Sequence, residues 1–154
     1  ANREMLGGAS DSAPLATAIV CRLSPDRGEL TMCRAGHPPA ILTNADTTSL
    51  VDVPPGPPVG SVLSATWEDR HLALEPGALL VLYTDGWVDR PGADLDLEFE
   101  RFRAVVASAG VEPALVVGRV AAAFRDPERR DDAAVLAIRV DGSPSVHDGG
   151  AVPS

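Results

Sequence analysis

A chain of 154 residues with 45% hydrophobic side chains is long enough for one domain with a packed core. Its formal charge of −9, with 13 basic residues that are all arginine, argues against a nucleic-acid groove built from clustered cations. No apolar run approaches the ~20 residues of a membrane helix.

Residues 1–14 are polar and rich in Gly and Ser, with Met5-Leu6 the one apolar pair, and read as a helix end and a loop. The start carries no basic region followed by an apolar core, so no signal peptide is read there. The absence of Met at Ala1 fits a processed start or a piece of a longer protein. Leu15 to Arg22 is apolar and β-branched and reads as a buried strand. Pro25-Asp26-Arg27-Gly28 has turn residues where a turn wants them, and Glu29 to Ala35 follows as the second strand of a hairpin. Cys21 and Cys33 flank the turn and could face each other across it. With no CxxC or Cys/His cluster beside them, they read as two reduced, buried thiols of a cytoplasmic protein.

Gly36-His37-Pro38-Pro39 breaks the chain before a short strand at Ala40-Ile41-Leu42. The run Val53-Pro54-Pro55-Gly56-Pro57-Pro58-Val59-Gly60 excludes regular structure, because each proline fixes φ and removes a backbone donor. It reads as a surface loop and a candidate rim of a site. Trp67 to Leu74 reads as a strand and Glu75-Pro76-Gly77 as a turn. Ala78 to Thr84 is apolar on both faces and is therefore expected at the centre of a sheet.

Two helices follow. Leu97 to Ala109 puts Phe99, Phe102, Val105, Val106 and Ala109 on one stripe, with Gly110 at the stop. The second begins at Pro113, a good first-turn residue, directs Val116, Val117, Val120, Ala123 and Phe124 inward, and ends at Asp126-Pro127. Ala133 to Val140 reads as an apolar closing strand with Arg139 near its end, and residues 141–154 as a disordered Ser/Pro/Gly tail. Strands grouped apart from helices predict α+β layering over residues 1–140.

Three acidic positions carry the candidate chemistry. Asp85 directly follows the central strand, so a rigid element holds it while its carboxylate reaches the sheet edge. Gly86 lets the backbone turn sharply. Mg²⁺ and Mn²⁺ favour such oxygen ligands. Asp-Gly is also an ordinary turn dipeptide, which leaves a purely structural reading open. Asp131 and Asp132 precede the closing strand. Whether they meet Asp85 depends on strand order, which the residues alone leave undecided, and they also read as a polar cap.

Ala16-Thr17-Ala18, Ala35-Gly36-His37-Pro38-Pro39, Pro58-Val59-Gly60, Leu82-Tyr83-Thr84-Asp85-Gly86 and Arg130-Asp131-Asp132-Ala133 occur in this order. Together they resemble the SpoIIE/RsbU branch of the metal-dependent serine/threonine protein phosphatases, over about Leu15 to Val140. The resemblance implies an αββα sandwich, a two-metal Mn²⁺ or Mg²⁺ site, and hydrolysis of phosphoserine or phosphothreonine. It implies Asp85 and Asp131 as metal ligands. Asp132 is their more variable neighbour, Gly86 belongs to the same turn, and Asp89 stands where the family often has Glu. His37 fits the family's Ala-Gly-His-Pro-Pro turn and reads as a turn-packing residue or a group near the site. The implied substrate is a phosphoprotein such as an anti-anti-sigma factor.

One family feature is not matched. The upstream Asp-x-x-Gly-His-Gly motif has no counterpart; Glu4 and Asp11 lack its glycines, and Cys33 and Pro38 depart from it around Gly36-His37. The expectation is therefore a domain lacking its amino-terminal strands, with an incomplete metal site and apolar surface that favours a dimer. Two other readings stand beside the enzyme: a pseudophosphatase that binds a partner in sigma-factor regulation, and an α+β domain whose acidic turns are structural.

Overall fold

The computed structural model describes residues 15–25, 28–90, 92–126 and 131–141. Residues 1–14, 26–27, 91, 127–130 and 142–154 lie outside them, so the readings placed there concern residues beyond the described ones. Strands β1 (Ala18–Leu23) and β2 (Glu29–Ala35) form the expected antiparallel hairpin, and β5 (Arg70–Ala73) pairs with the other side of β2. A second antiparallel sheet has the order β4-β3-β6-β7, from β3 (Ile41–Thr43), β4 (Thr48–Leu50), β6 (Leu79–Tyr83) and β7 (Val135–Arg139). Helices α1 (Leu95–Ala109) and α2 (Pro113–Ala123) pack against each other, with α1 touching β3 and β4 and α2 touching β7.

The two sheets meet across Leu30, Met32 and Leu74 on one side and Leu80 and Val140 on the other. The opposite face of the four-stranded sheet turns Ile41, Leu79, Val81 and Tyr83 toward Phe102, Val106, Val116, Val120 and Phe124 of the helical layer. This is the α+β layering expected, with two sheets and one helix layer among the described residues. Strand β6 is interior, as its apolar character on both faces requires, and Leu79, Leu80 and Val81 are all buried. Burying a side chain the size of Phe102 or Val120 contributes about 1.5–3 kcal/mol.

The helix boundaries follow their caps. Asp94 accepts from the Asp96 and Leu97 amides, so α1 starts at Leu95, two residues before the start read at Leu97. Gly110, at φ 73°, ends it. Pro113 opens α2 as expected. Val116, Val120 and Phe124 are buried at i, i+4 and i+8, but Val117 and Ala123 are exposed, because they lie off that line.

Four readings are corrected. The first strand is not buried: β1 is an edge strand, and Val20 is 61% exposed on its outer face. The closing strand is likewise an edge, with Leu136 54% exposed. Cys21 lies opposite Met32 and Cys33 opposite Val20, so the two free thiols point to opposite faces, each half-buried. The strand read from Trp67 begins only at Arg70, since the Trp67 indole donates to the Pro57 carbonyl (2.9 Å) and holds the Pro-rich loop instead.

Candidate functional site

The strand order left undecided by the sequence has a definite answer. β6 and β7 are antiparallel neighbours in the register Tyr83↔Val135, so the end of β6 and the start of β7 share one sheet edge. Thr84-Asp85-Gly86-Trp87 therefore lies against the segment from Asp131 to Ala134. Several bonds hold the two together. The Thr84 amide donates to the Ala134 carbonyl (3.0 Å), and the Ala134 amide donates to Thr84 Oγ1 (2.9 Å). Thr84 Oγ1 in turn donates to the Asp132 carbonyl (3.3 Å), and Trp87 Nε1 donates to the Ala134 carbonyl (2.8 Å).

Asp85 opens a short 3₁₀ turn, Asp85–Trp87. Its carbonyl accepts from the Val88 and Asp89 amides at 2.8 and 2.7 Å, which leaves its half-exposed side chain at the edge. Gly86 serves a different purpose from the one read in sequence. Its φ is not in the left-handed range; instead, a Cβ there would run into the Asp132 carbonyl oxygen. Close approach of the two segments, rather than turn freedom, requires glycine. Asp131 and Asp132 are exposed, and Asp131 Oδ1 accepts from the Asp132 amide (2.8 Å). Asp89 is exposed and tied to Asp85 through its backbone.

On the other flank of β6 the register is Ile41↔Val81. The antiparallel pairing therefore has the chain enter β3 from the Tyr83 end of β6. His37 is half-buried. Its Nδ1 lies 3.0 Å from the Pro38 carbonyl, and its own carbonyl accepts from Arg34 (3.3 Å). The Pro-rich loop runs over the turn: a Cβ on Gly36 would press on Pro58, and Gly36 and Gly56 exchange backbone contacts with β2 and the loop. These are turn-packing interactions.

Beneath the edge lie the two buried side-chain atoms that lack a hydrogen-bond partner among the described residues, Arg34 Nε and the Tyr83 hydroxyl. Burial pushes the Tyr83 phenol well above the usual tyrosine range, with the Arg34 charge acting the other way. Burial lowers the Arg34 guanidinium from its ordinary value, opposed by Tyr83 and Asp52.

In kind, these donors suit a hard divalent cation, which binds through one or two carboxylates and completes its shell with water and phosphate oxygens. In number they fall short of a two-metal site. Among the described residues no group of three or more His, Cys, Asp or Glu side chains is placed to hold a metal. Sequence reasoning singled out the carboxylates but missed Thr84 and Trp87, the side chains that join the two segments. Their signal was present: a hydroxyl and an indole N–H immediately beyond a central strand, where polar groups need partners.

A family model described as Stage II sporulation protein E (SpoIIE) matches residues 1–141. The RsbU and RsbW domains of Rv1364c from Mycobacterium tuberculosis superpose with a TM-score of 0.70 at 29% identity, covering 83% of this chain and 38% of that one. The phosphatase domain of Bacillus subtilis SpoIIE, presoaked with Mn, gives 0.59 at 18% identity over 83% of this chain and 58% of its own, a likeness of fold. Protein IcfG of Synechocystis is 32% identical over 79 residues, 51% of this chain and 12% of IcfG. The chain thus spans less than two thirds of each of these relatives.

Proposed function

This chain belongs to the SpoIIE family, and from that premise we propose that it forms part of a metal-dependent phosphatase domain hydrolysing phosphoserine or phosphothreonine in a signalling protein. The observation that carries the reading is the β6–β7 register, which sets the Asp85 turn against Asp131 and Asp132 at one sheet edge. Asp85 and Asp131 are the proposed ligands of Mn²⁺ or Mg²⁺, with Gly86, Asp132, Asp89 and His37 around them. Residues 1–140 make up the phosphatase part and 141–154 a tail.

A divalent cation held there would acidify a bound water and offset phosphoryl charge. The chain's own residues do the positioning. Thr84 and Trp87 lock Asp132 and Ala134 to the Asp85 turn through their backbone groups. A two-metal site needs donors beyond the described carboxylates. The Mn-presoaked SpoIIE phosphatase domain and the RsbU–RsbW pairing of the Mycobacterium relative favour a metal-dependent signalling role. We assign it a phosphorylated anti-anti-sigma factor as substrate and a cytoplasmic setting. The exposed Val20, Leu136 and Ile138 favour a dimer or a docked partner.

A second reading, a pseudophosphatase that binds its partner without hydrolysis, is favoured by the same shortage of donors. Thermal unfolding with and without Mn²⁺ separates the two, because a ligand of the native state raises Tm. Under the enzyme reading Mn²⁺ raises the Tm of the wild type and leaves Asp85→Asn unmoved. A wild-type transition indifferent to Mn²⁺ would sink metal binding and leave partner binding as the function.

A further inference from the structure

The stretch after the Asp85 turn ends in an arginine that reaches both helices. Arg90 follows Asp89, whose amide is bonded to the Asp85 carbonyl (2.7 Å). Its guanidinium lies 3.7 Å from the Glu98 carboxylate in the first turn of α1, and 5.7 Å from the centre of the Phe124 ring at the end of α2. Glu98 is the pivot: its side chain is only 13% exposed and also pairs with Arg101 at 3.3 Å. Arg101 stacks over the same Phe124 ring at 4.7 Å and donates to the Ala123 carbonyl (3.2 Å). One carboxylate and one ring are thus shared by two guanidinium groups. Arg101 links α1 only to α2. Arg90 links both helices to the chain that leaves the Asp85 turn.

We propose that Arg90 is a positioning residue for Asp85, pinning the Asp85–Asp89 turn to the helical layer through Glu98 and Phe124. The physical basis is the mismatch between the two sides of the turn. On its upstream side Asp85 is fixed by the β6–β7 ladder and the Thr84 bonds. Downstream, Trp87 is buried and bonded to the Ala134 carbonyl, and beyond it the Asp89 amide is held by a local bond to the Asp85 carbonyl. Arg90 adds an anchor beyond Trp87, to Glu98 and Phe124 of the helical layer. A partly buried carboxylate with a planar cation beside it, over an aromatic face, is a better-defined anchor than an exposed ion pair. A shift of α1 against α2 is then transmitted to the carboxylate at the sheet edge.

The metal-directed part of this inference rests on the proposed function; the mechanical part does not, and the test keeps them apart. Amide hydrogen exchange is measured on the wild type, Arg90→Ala, Arg90→Lys and Arg101→Ala. Arg90→Ala is expected to speed exchange at Val88 and Asp89 by about 10-fold or more, with Val81 and Ala137 in the β6–β7 ladder unchanged. Arg90→Lys recovers part of the protection. Arg101→Ala, which removes the shorter ion pair and the closer ring contact, leaves Val88 and Asp89 at wild-type rates. Wild-type exchange at those two amides in Arg90→Ala would overturn the proposal, as would equal acceleration at all four amides. Titration with Mn²⁺ alone adds a second readout. If the wild type binds it, Arg90→Ala is expected to bind on the order of 10-fold more weakly, and unchanged affinity would overturn the role toward Asp85. If the wild type does not bind Mn²⁺, the metal reading falls, and exchange still decides whether Arg90 holds the turn.

Discussion

Replacing Tyr83 by Phe tests the interior beneath the site more directly than any change at its surface. The ring is buried, stacked on Phe102 with centroids 4.1 Å apart and edge-on to Phe99 at 6.4 Å. Those contacts survive removal of the hydroxyl. The hydroxyl itself is buried and has no hydrogen-bond partner among the described residues. In the unfolded chain it is hydrated, so folding costs about 1–3 kcal/mol of desolvation with nothing in return. Tyr83→Phe should therefore stabilise the fold by about that amount, or roughly 3–10 °C in Tm for a chain of this length. The pH dependence has a definite sign. The native phenol is raised above its unfolded value of about 10, so the tyrosine contribution is fully present below about pH 10. Above that, the unfolded chain releases the proton first and stability falls as pH rises, by about 1.4 kcal/mol per pH unit. The Phe variant lacks this alkaline loss, while both cysteines are common to the two proteins and cancel. Tyr83 is the one tyrosine in the chain, so phenolate absorbance reports it without overlap. A Phe variant less stable than wild type by more than about 1 kcal/mol, or a native phenol titrating near pH 10, would mean that the hydroxyl has a partner and would refute the reasoning.

Two further changes probe the join between the segments. Gly86→Ala should cost about 1–3 kcal/mol, because its Cβ meets the Asp132 carbonyl rather than a flexible side chain; chemical denaturation checks the loss, and amide shifts should move at Asp132 and Ala133. Thr84→Val removes the hydroxyl that bonds the Ala134 amide and the Asp132 carbonyl, for a loss of about 1–2 kcal/mol, whereas Thr84→Ser should keep most of the wild-type stability in the same assay.

Which parts of the fold could be read in advance follows from the range of the interactions that decide them. Strand β2, the start of α2 and the stop of α1 are set by neighbours in sequence: alternation, Pro113 and Gly110. The interior place of β6 was legible because apolar character on both faces demands cover on both faces. β1 and β7 are nearly as apolar, yet both are edges, and composition does not say which strand finds two neighbours. Strand β4 gave no signal, since Thr48-Ser49-Leu50 is too short for a period. It is held by pairing with β3 and by the 2.6 Å contact between the Thr43 and Thr48 hydroxyls. The cysteine geometry failed for a related reason: one residue of register decides the face. At the site, each carboxylate was visible, but the meeting of the two segments that carry them was not, because it depends on the pairing of strands about 50 residues apart.

Gly86 bears on the alternative that the Asp-Gly pair is merely a turn. A glycine needed for a turn is expected at positive φ, as seen at Gly36, Gly60, Gly77, Gly92 and Gly110. Gly86 adopts an ordinary backbone conformation inside a 3₁₀ turn, where other residues would serve equally well if local geometry were the only demand. What excludes them is the Asp132 backbone pressed against its Cα. The glycine is therefore a condition on the distance between two segments, and each of those segments carries a carboxylate. The Thr84 and Trp87 bonds maintain that distance.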